Sequence, residues 1–114
     1  MFIANSHLKI MQGFVANPQM EWTGGGLSTT AEDLARWAKA VYEARAFSAD
    51  LLKEALRGTP GGPNRSYYGL GVGVSETPFG LRYGHSGYFP GYRTVMAYFP
   101  KQRAAIVVQT NTSA

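Results

Sequence analysis

An imidazole and a hydroxyl, two groups able to exchange protons, sit side by side in the stretch Tyr83-Gly84-His85-Ser86-Gly87-Tyr88-Phe89-Pro90-Gly91-Tyr92-Arg93-Thr94. His85 can donate, accept or titrate near neutral pH. Ser86 adds a hydroxyl that both donates and accepts. The flanking residues place the pair at the end of a strand: Arg82 and Tyr83 lead in, Gly87, Pro90 and Gly91 turn the chain, and Tyr92 to Phe99 runs on as a second strand. Glycine inside or at the end of a strand marks a close approach by another backbone or a ligand. By residue type alone, the same stretch also reads as an ordinary tight hairpin with a satisfied histidine and a solvated serine. The triplet His-Ser-Gly is too short to separate the two readings.

The elements that must position this stretch follow from patterning. Gly24-Gly25-Gly26 forms a joint before a helix. Thr29 with Glu32 fits a capping box, and Thr30 with Asp33 offers it one residue later. Leu34, Trp37, Ala38, Val41 and Tyr42 fall on one helical face, with Trp37 read as core. A second helix begins at Ser48, with Phe47 placed to staple onto Leu52 and Gly58 suited to its far end. Residues 59–64 read as a loop. From Tyr67 the pattern turns to strands. Tyr68, Leu70, Val72 and Val74 alternate with glycines at 69, 71 and 73, which puts the larger side chains on one face and leaves the other bare for something to pack closely. Thr77-Pro78-Phe79-Gly80 turns into the His85 strand, and Tyr92–Phe99 and Arg103–Thr110 form a further hairpin through Pro100-Lys101-Gln102. Four strands joined by short turns, preceded by two helices, make an α+β fold with an antiparallel β-meander. Residues 1–114 read as one domain without internal repeats.

Residues 1–26 carry little pattern. Leu8, Ile10, Met11, Phe14 and Val15 fit a short helix or a strand equally, and Asn17-Pro18 marks a turn. Gly24-Gly25-Gly26 lacks the Lys-Ser/Thr that would complete a phosphate cradle. With 45% hydrophobic and 16% charged residues the chain is globular rather than disordered. It contains no cysteine, and its two histidines, His7 and His85, lie far apart, so neither a disulfide framework nor a metal site is expected, and no cofactor is called for. No run reaches membrane-spanning length, and the first residues lack the basic and apolar regions of a signal peptide. The net charge of +4 comes from basic residues scattered along the chain, whereas a nucleic-acid surface needs a patch or stripe.

Taken together, Gly24-Gly25-Gly26-Leu27-Ser28-Thr29-Thr30, Tyr68-Gly69-Leu70-Gly71, Gly84-His85-Ser86-Gly87, Pro90-Gly91-Tyr92 and the strand Ala104 to Asn111 form an ordered series. It resembles the last third of the penicillin-recognising serine hydrolases, in the branch of class C β-lactamases, DD-carboxypeptidases and related esterases. The resemblance covers about Trp22 to Asn111. It implies acyl transfer through a covalent serine ester, with a β-lactam, a D-Ala-D-Ala peptide or an ester as substrate. In that family His85-Ser86-Gly87 matches the third signature, Lys-Thr-Gly or His-Thr-Gly, on a strand lining the active site. His85 would then support the proton network and attract the substrate's negative charge. Ser86 would hydrogen-bond the substrate carboxylate or that network, and Gly87 would let the substrate lie against the strand. The backbone N–H of Tyr88 would be one oxyanion donor, and Asn111 would sit near the substrate's acid group. Histidine in place of lysine leans towards a carboxypeptidase or esterase.

The departures are as informative. The family's Tyr-x-Asn motif is absent, and the single Ser-x-x-Lys, Ser6-His7-Leu8-Lys9, is soon interrupted by Gly13 and Pro18 and reads as coincidence. The closing helix beyond the last strand is missing too. The chain therefore reads as the C-terminal portion of a hydrolase domain carrying half an active site. Two functions stay open: a serine hydrolase portion that acts only within a complete enzyme, and a non-catalytic remnant or interaction module that keeps the fold. The family is often exported, and compartment stays unassigned. Bare sheet edges and an apolar face containing Tyr68, Leu70, Val72, Tyr98, Ile106 and Val108 make self-association an expectation.

Overall fold

The computed structural model describes residues 27–60 and 66–112. Ser6–Lys9, the turn at Asn17-Pro18, the Gly24–Gly26 joint and residues 61–64 of the 59–64 loop lie outside them. The described residues fall into two units that meet between Thr30 and Ala31. Of the first, only residues 27–30 are described, and they are irregular and exposed.

Helix α1 spans Ala31–Tyr42, so Thr30 and Asp33 occupy its cap and third positions. Glu32 and Asp33 in the first turn and Lys39 in the last complement the helix dipole. At its end Ala44 N–H donates to Val41 (3.1 Å) and Arg45 N–H to Ala40 (2.8 Å). These two bonds close a Schellman motif, with Ala44 in the left-handed region at φ 55° where glycine is usual. Helix α2 spans Ala49–Leu56, and the Ser48 hydroxyl accepts from Leu51 N–H at 3.3 Å, as its sequence predicts. Its far end differs from expectation. Arg57 closes it in an extended conformation (φ −73°, ψ 95°), and Gly58 does another job, described below. Trp37 is not core: it is 51% exposed, edge-on to Phe47 with ring centroids 6.2 Å apart.

Six antiparallel strands follow in sequential order: β1 (Thr59–Pro60), β2 (Tyr67–Tyr68), β3 (Gly73–Thr77), β4 (Gly80–Phe89), β5 (Tyr92–Phe99) and β6 (Ala104–Thr110). The meander is as expected, with two corrections. Thr59-Pro60 is a short strand paired with β2 rather than loop. The run from Tyr67 to Val74 is not one strand but two. Gly69 N–H donates to Val72 at 2.8 Å, Leu70 N–H is taken by Ala55 of α2 at 2.9 Å, and Gly71 turns at φ 69°. The face expected from alternation therefore splits. Val72 and Val74 are each 4% exposed, whereas Leu70 is 73% exposed and Tyr68 is half-exposed.

The expected close approach to the glycines is present at Gly69, where a Cβ would fall on the carbonyl oxygen of Ala55. Gly84 is packed the same way, against the carbonyl of Met96. Turns match the sequence at Thr77–Gly80, where the Thr77 hydroxyl donates to Gly80 C=O (2.7 Å) and accepts from Phe79 N–H (3.2 Å).

Helix α1 packs over β5 and β6. The Tyr42 ring stacks on Tyr98 (5.5 Å) and tilts against Tyr83 (5.6 Å). Tyr83 and Tyr98 share a rung, so α1 covers the face they occupy. Each ring pair contributes about 0.5–1.5 kcal/mol beyond its burial. Burial pushes the Tyr42 and Tyr98 phenols above their ordinary range, and Glu43 adds to the shift at Tyr98.

Glu43 ties the end of α1 to the β5–β6 turn. Its carboxylate accepts from the Tyr98 hydroxyl (3.1 Å) and pairs with Lys39 (3.4 Å), Arg45 (3.2 Å) and Arg103 (3.4 Å). Lys39 also donates to the carbonyl of Arg103 at 2.6 Å. The Arg103 guanidinium, with Tyr98 and Lys39, holds the Glu43 carboxyl at about 2 against a smaller opposing effect of burial.

The rungs Val95↔Val108 and Ala97↔Ile106 alternate to the opposite face, where Val95, Ile106 and Val108 are about half exposed. The expected apolar surface is thereby redrawn. Tyr98, 2% exposed under α1, and Val72 leave it, and Val95 joins it.

Candidate active site

Strand β4 has unequal neighbours. Its pairing with β3 ends at Gly73↔Gly84, whereas its pairing with β5 continues to Phe89↔Tyr92. Among the described residues, β4 thus presents a long edge without a strand partner from His85 to Phe89. Gly73 begins β3 where the Gly69–Val72 turn delivers it, so that turn sets where the edge opens. His85, Ser86, Gly87 and Tyr88 are all exposed along it.

The ladder through this segment is regular: His85↔Met96, Ser86↔Val95, Gly87↔Thr94, Tyr88↔Arg93. Gly87 stays inside the strand rather than turning the chain, because the reversal is made by Pro90-Gly91, with Gly91 at φ 88°. Regular pairing also fixes directions. His85 and Gly87 project from one face and Ser86 and Tyr88 from the other, flanking the open edge from both sides. Gly87 has open room, with Thr94 Cβ 3.9 Å from where a Cβ would sit. Beside it, the close seat of Gly84 on Met96 holds the backbone next to His85 tightly against β5.

The His85 imidazole has a partner that residue types did not reveal. Its Nε2 lies 2.7 Å from the Tyr68 hydroxyl, and the two rings meet edge-on at 5.8 Å. Tyr68 belongs to the Tyr-Gly-Leu-Gly series noted in the sequence. Only the split of that series into β2, turn and β3 brings its hydroxyl to His85. Arg93 is the second residue missed. Its guanidinium lies 5.8 Å over the Tyr88 ring, which places positive charge at the far end of the same edge.

Asn111 is not gathered with His85. It follows Thr110, which pairs with Arg93, and so lies four rungs along and two strands across from His85, roughly 13 Å away along the strand direction alone. It shares the sheet end with Tyr88 and Arg93. A shallow depression on α2, lined by Ala49, Leu52, Lys53, Leu56 and Arg57, contains none of the candidate residues. No described helix is long and apolar enough to cross a membrane.

The two helices and the sequential antiparallel meander are shared with the β-lactamase and penicillin-binding protein fold. Residues 4–114 match the family model described as Beta-lactamase, and the chain belongs to that family. Among solved structures it is similar to a D-stereospecific amidohydrolase from Streptomyces sp., with a TM-score of 0.67 and 20% identity over 73% of this chain and 25% of that one. It is likewise similar to a penicillin binding protein from Bacillus halodurans, with a TM-score of 0.67 and 25% identity over 75% of this chain and 27% of that one. The chain thus spans about a quarter of the length of each. Comparison with curated proteins gives no match.

Proposed function

We propose that the chain supplies the substrate-lining strand of an acyl-transferring serine hydrolase and is inactive on its own. The observation that carries this reading is the open edge of β4, where an imidazole, a hydroxyl and a side-chain-free glycine occur in succession. An extended acyl donor can lie along such an edge, with its backbone bonding to the strand and Gly87 leaving room for it. His85 takes part in the proton network around the attacking serine. Ser86 and Arg93 bind the negative end of the substrate, and the N–H of Tyr88 is an oxyanion donor. The substrate is a β-lactam, a D-Ala-D-Ala peptide or an ester. Histidine at the position of the family's lysine favours a carboxypeptidase or esterase. The serine nucleophile and its lysine come from a portion of the fold outside this chain.

The test is hydrolysis of nitrocefin and p-nitrophenyl acetate by the chain alone. The expected rate does not exceed that of a heat-treated control. Turnover that disappears in Ser6→Ala would overturn the reading, because it would make Ser6-His7-Leu8-Lys9 a working nucleophile motif.

A further inference from the structure

We infer that Tyr68 is a positioning residue for His85: its hydroxyl donates to Nε2 and holds the neutral imidazole as the Nδ1–H tautomer. This rests on the reading of His85 as the proton-handling residue of the β4 edge. Which ring nitrogen carries the proton is set by the hydrogen bond that the other nitrogen makes. Here Nε2 is engaged by a phenol at 2.7 Å. A phenol is a better donor than an imidazole N–H, and an imidazole nitrogen is a better acceptor than a phenol oxygen. The favoured arrangement is O–H···Nε2, with the ring proton on Nδ1. His85 then presents Nδ1–H to its surroundings as a donor, and proton traffic through Nε2 must pass through the Tyr68 hydroxyl.

The fold holds Tyr68 in place from three sides. Its backbone pairs with Thr59 on one flank and Gly73 on the other. Gly58 lies so close that an added Cβ would come within 2.8 Å of the Tyr68 carbonyl oxygen and 2.9 Å of Tyr67 Cβ. Gly69 is seated on the carbonyl of Ala55, and Leu70 N–H bonds the same oxygen at 2.9 Å. Gly58 and Gly69 thus lock β2 against the end of α2, and the tyrosine between them is aimed at His85. Tyr68 is itself 49% exposed, so burial does not explain its placement. Its neighbour Tyr67 provides an internal control on the same strand.

The experiment is long-range 1H–15N correlation NMR of the imidazoles in the 15N-labelled chain at about pH 8.5, above the ordinary imidazole range. The chain has two histidines, so His7→Gln assigns the signals. The expected wild-type spectrum shows Nδ1 protonated and Nε2 bare for His85. In Tyr68→Phe the proton moves predominantly to Nε2, the tautomer that free imidazole side chains favour in water, while Tyr67→Phe leaves the wild-type pattern intact. A wild-type His85 with its proton on Nε2 overturns the inference without any variant, so the test survives a variant that fails to fold. An identical pattern in wild type and a folded Tyr68→Phe overturns it as well. No step depends on turnover. A wrong tautomer therefore leaves the hydrolase reading standing, and failure of the hydrolase reading leaves the tautomer result intact.

Discussion

Gly84→Ala tests the packing that supports the site. Gly84 sits on the rung Gly73↔Gly84↔Ala97, one residue before His85, and its φ is not positive, so its backbone does not itself require glycine. What excludes a side chain is space. A Cβ there would fall on the carbonyl oxygen of Met96, 3.0 Å from its carbonyl carbon and 3.1 Å from Ala97 Cα. All three are backbone atoms of a paired strand, and none can rotate away. Overpacking of this kind costs about 1–3 kcal/mol, with a rigid backbone neighbour at the upper end. Against it stands a gain of about 0.5–1 kcal/mol from replacing glycine in a strand. The net loss is about 2 kcal/mol, which for a unit of this size lowers Tm by roughly 8–16 °C. Gly87→Ala, three residues along the same strand, is the matched control. Its Cβ would meet only Thr94 Cβ at 3.9 Å, an ordinary contact, so its Tm should hold or rise slightly. Thermal unfolding followed by circular dichroism measures both. A Gly84→Ala protein as stable as wild type, or two variants that fall equally, would refute the close β4–β5 approach.

Two further substitutions probe the frame around α1. Ala44→Gly removes a left-handed alanine that costs about 1–2 kcal/mol, against about 0.4–1 kcal/mol for the added freedom of the unfolded chain. Tm should rise by about 3–6 °C, and an unchanged or lower Tm would contradict the Schellman geometry. Glu43, with its side chain 11% exposed, has its carboxyl lowered to about 2 by Arg103, Tyr98 and Lys39. A depressed acid contributes stability above its unfolded pKa of roughly 4.3 and loses it as pH falls towards the folded value. Urea midpoints should therefore fall between about pH 4 and pH 2 in wild type, and Glu43→Gln should flatten that fall while lowering stability at neutral pH. Parallel curves would remove Glu43 from the acid transition.

Much of the architecture was legible because it rests on local chemistry. Ser48 reads as a cap because a serine before a helix can accept from the first turn, and its hydroxyl does so for Leu51. Pro90-Gly91 and Thr77–Gly80 read as turns because proline and glycine dictate backbone angles. The misses arise where long-range contacts override the local pattern. Tyr68 to Val74 alternates like a strand, yet a carbonyl of α2 captures Leu70 N–H and folds the run into a turn. Gly58 looked like a helix terminator, but its smallness serves the approach of β2. Trp37 lies on the helical face predicted to be buried, but Ala38, fully buried, sits deeper against the sheet. On the β4 edge, residue types and the family series name His85, Ser86 and Gly87 as candidates. Tyr68 and Arg93 could not, because their places depend on where β3 peels away from β4 and on which residues share a rung.

The most direct test of the site is the acylation rate of the chain assembled with a Ser-x-x-Lys-bearing portion of the same fold, comparing wild type with His85→Ala. Burst kinetics with nitrocefin and p-nitrophenyl acetate give the rate, and thermal unfolding confirms the fold. The expected result is acylation slower by roughly 10² or more, the range for a positioned acid–base group, with Tm unchanged because His85 is exposed at the strand edge. An acylation rate equal to wild type at equal stability would show that His85 takes no part in proton transfer and would contradict its reading as the proton-handling residue of the β4 edge.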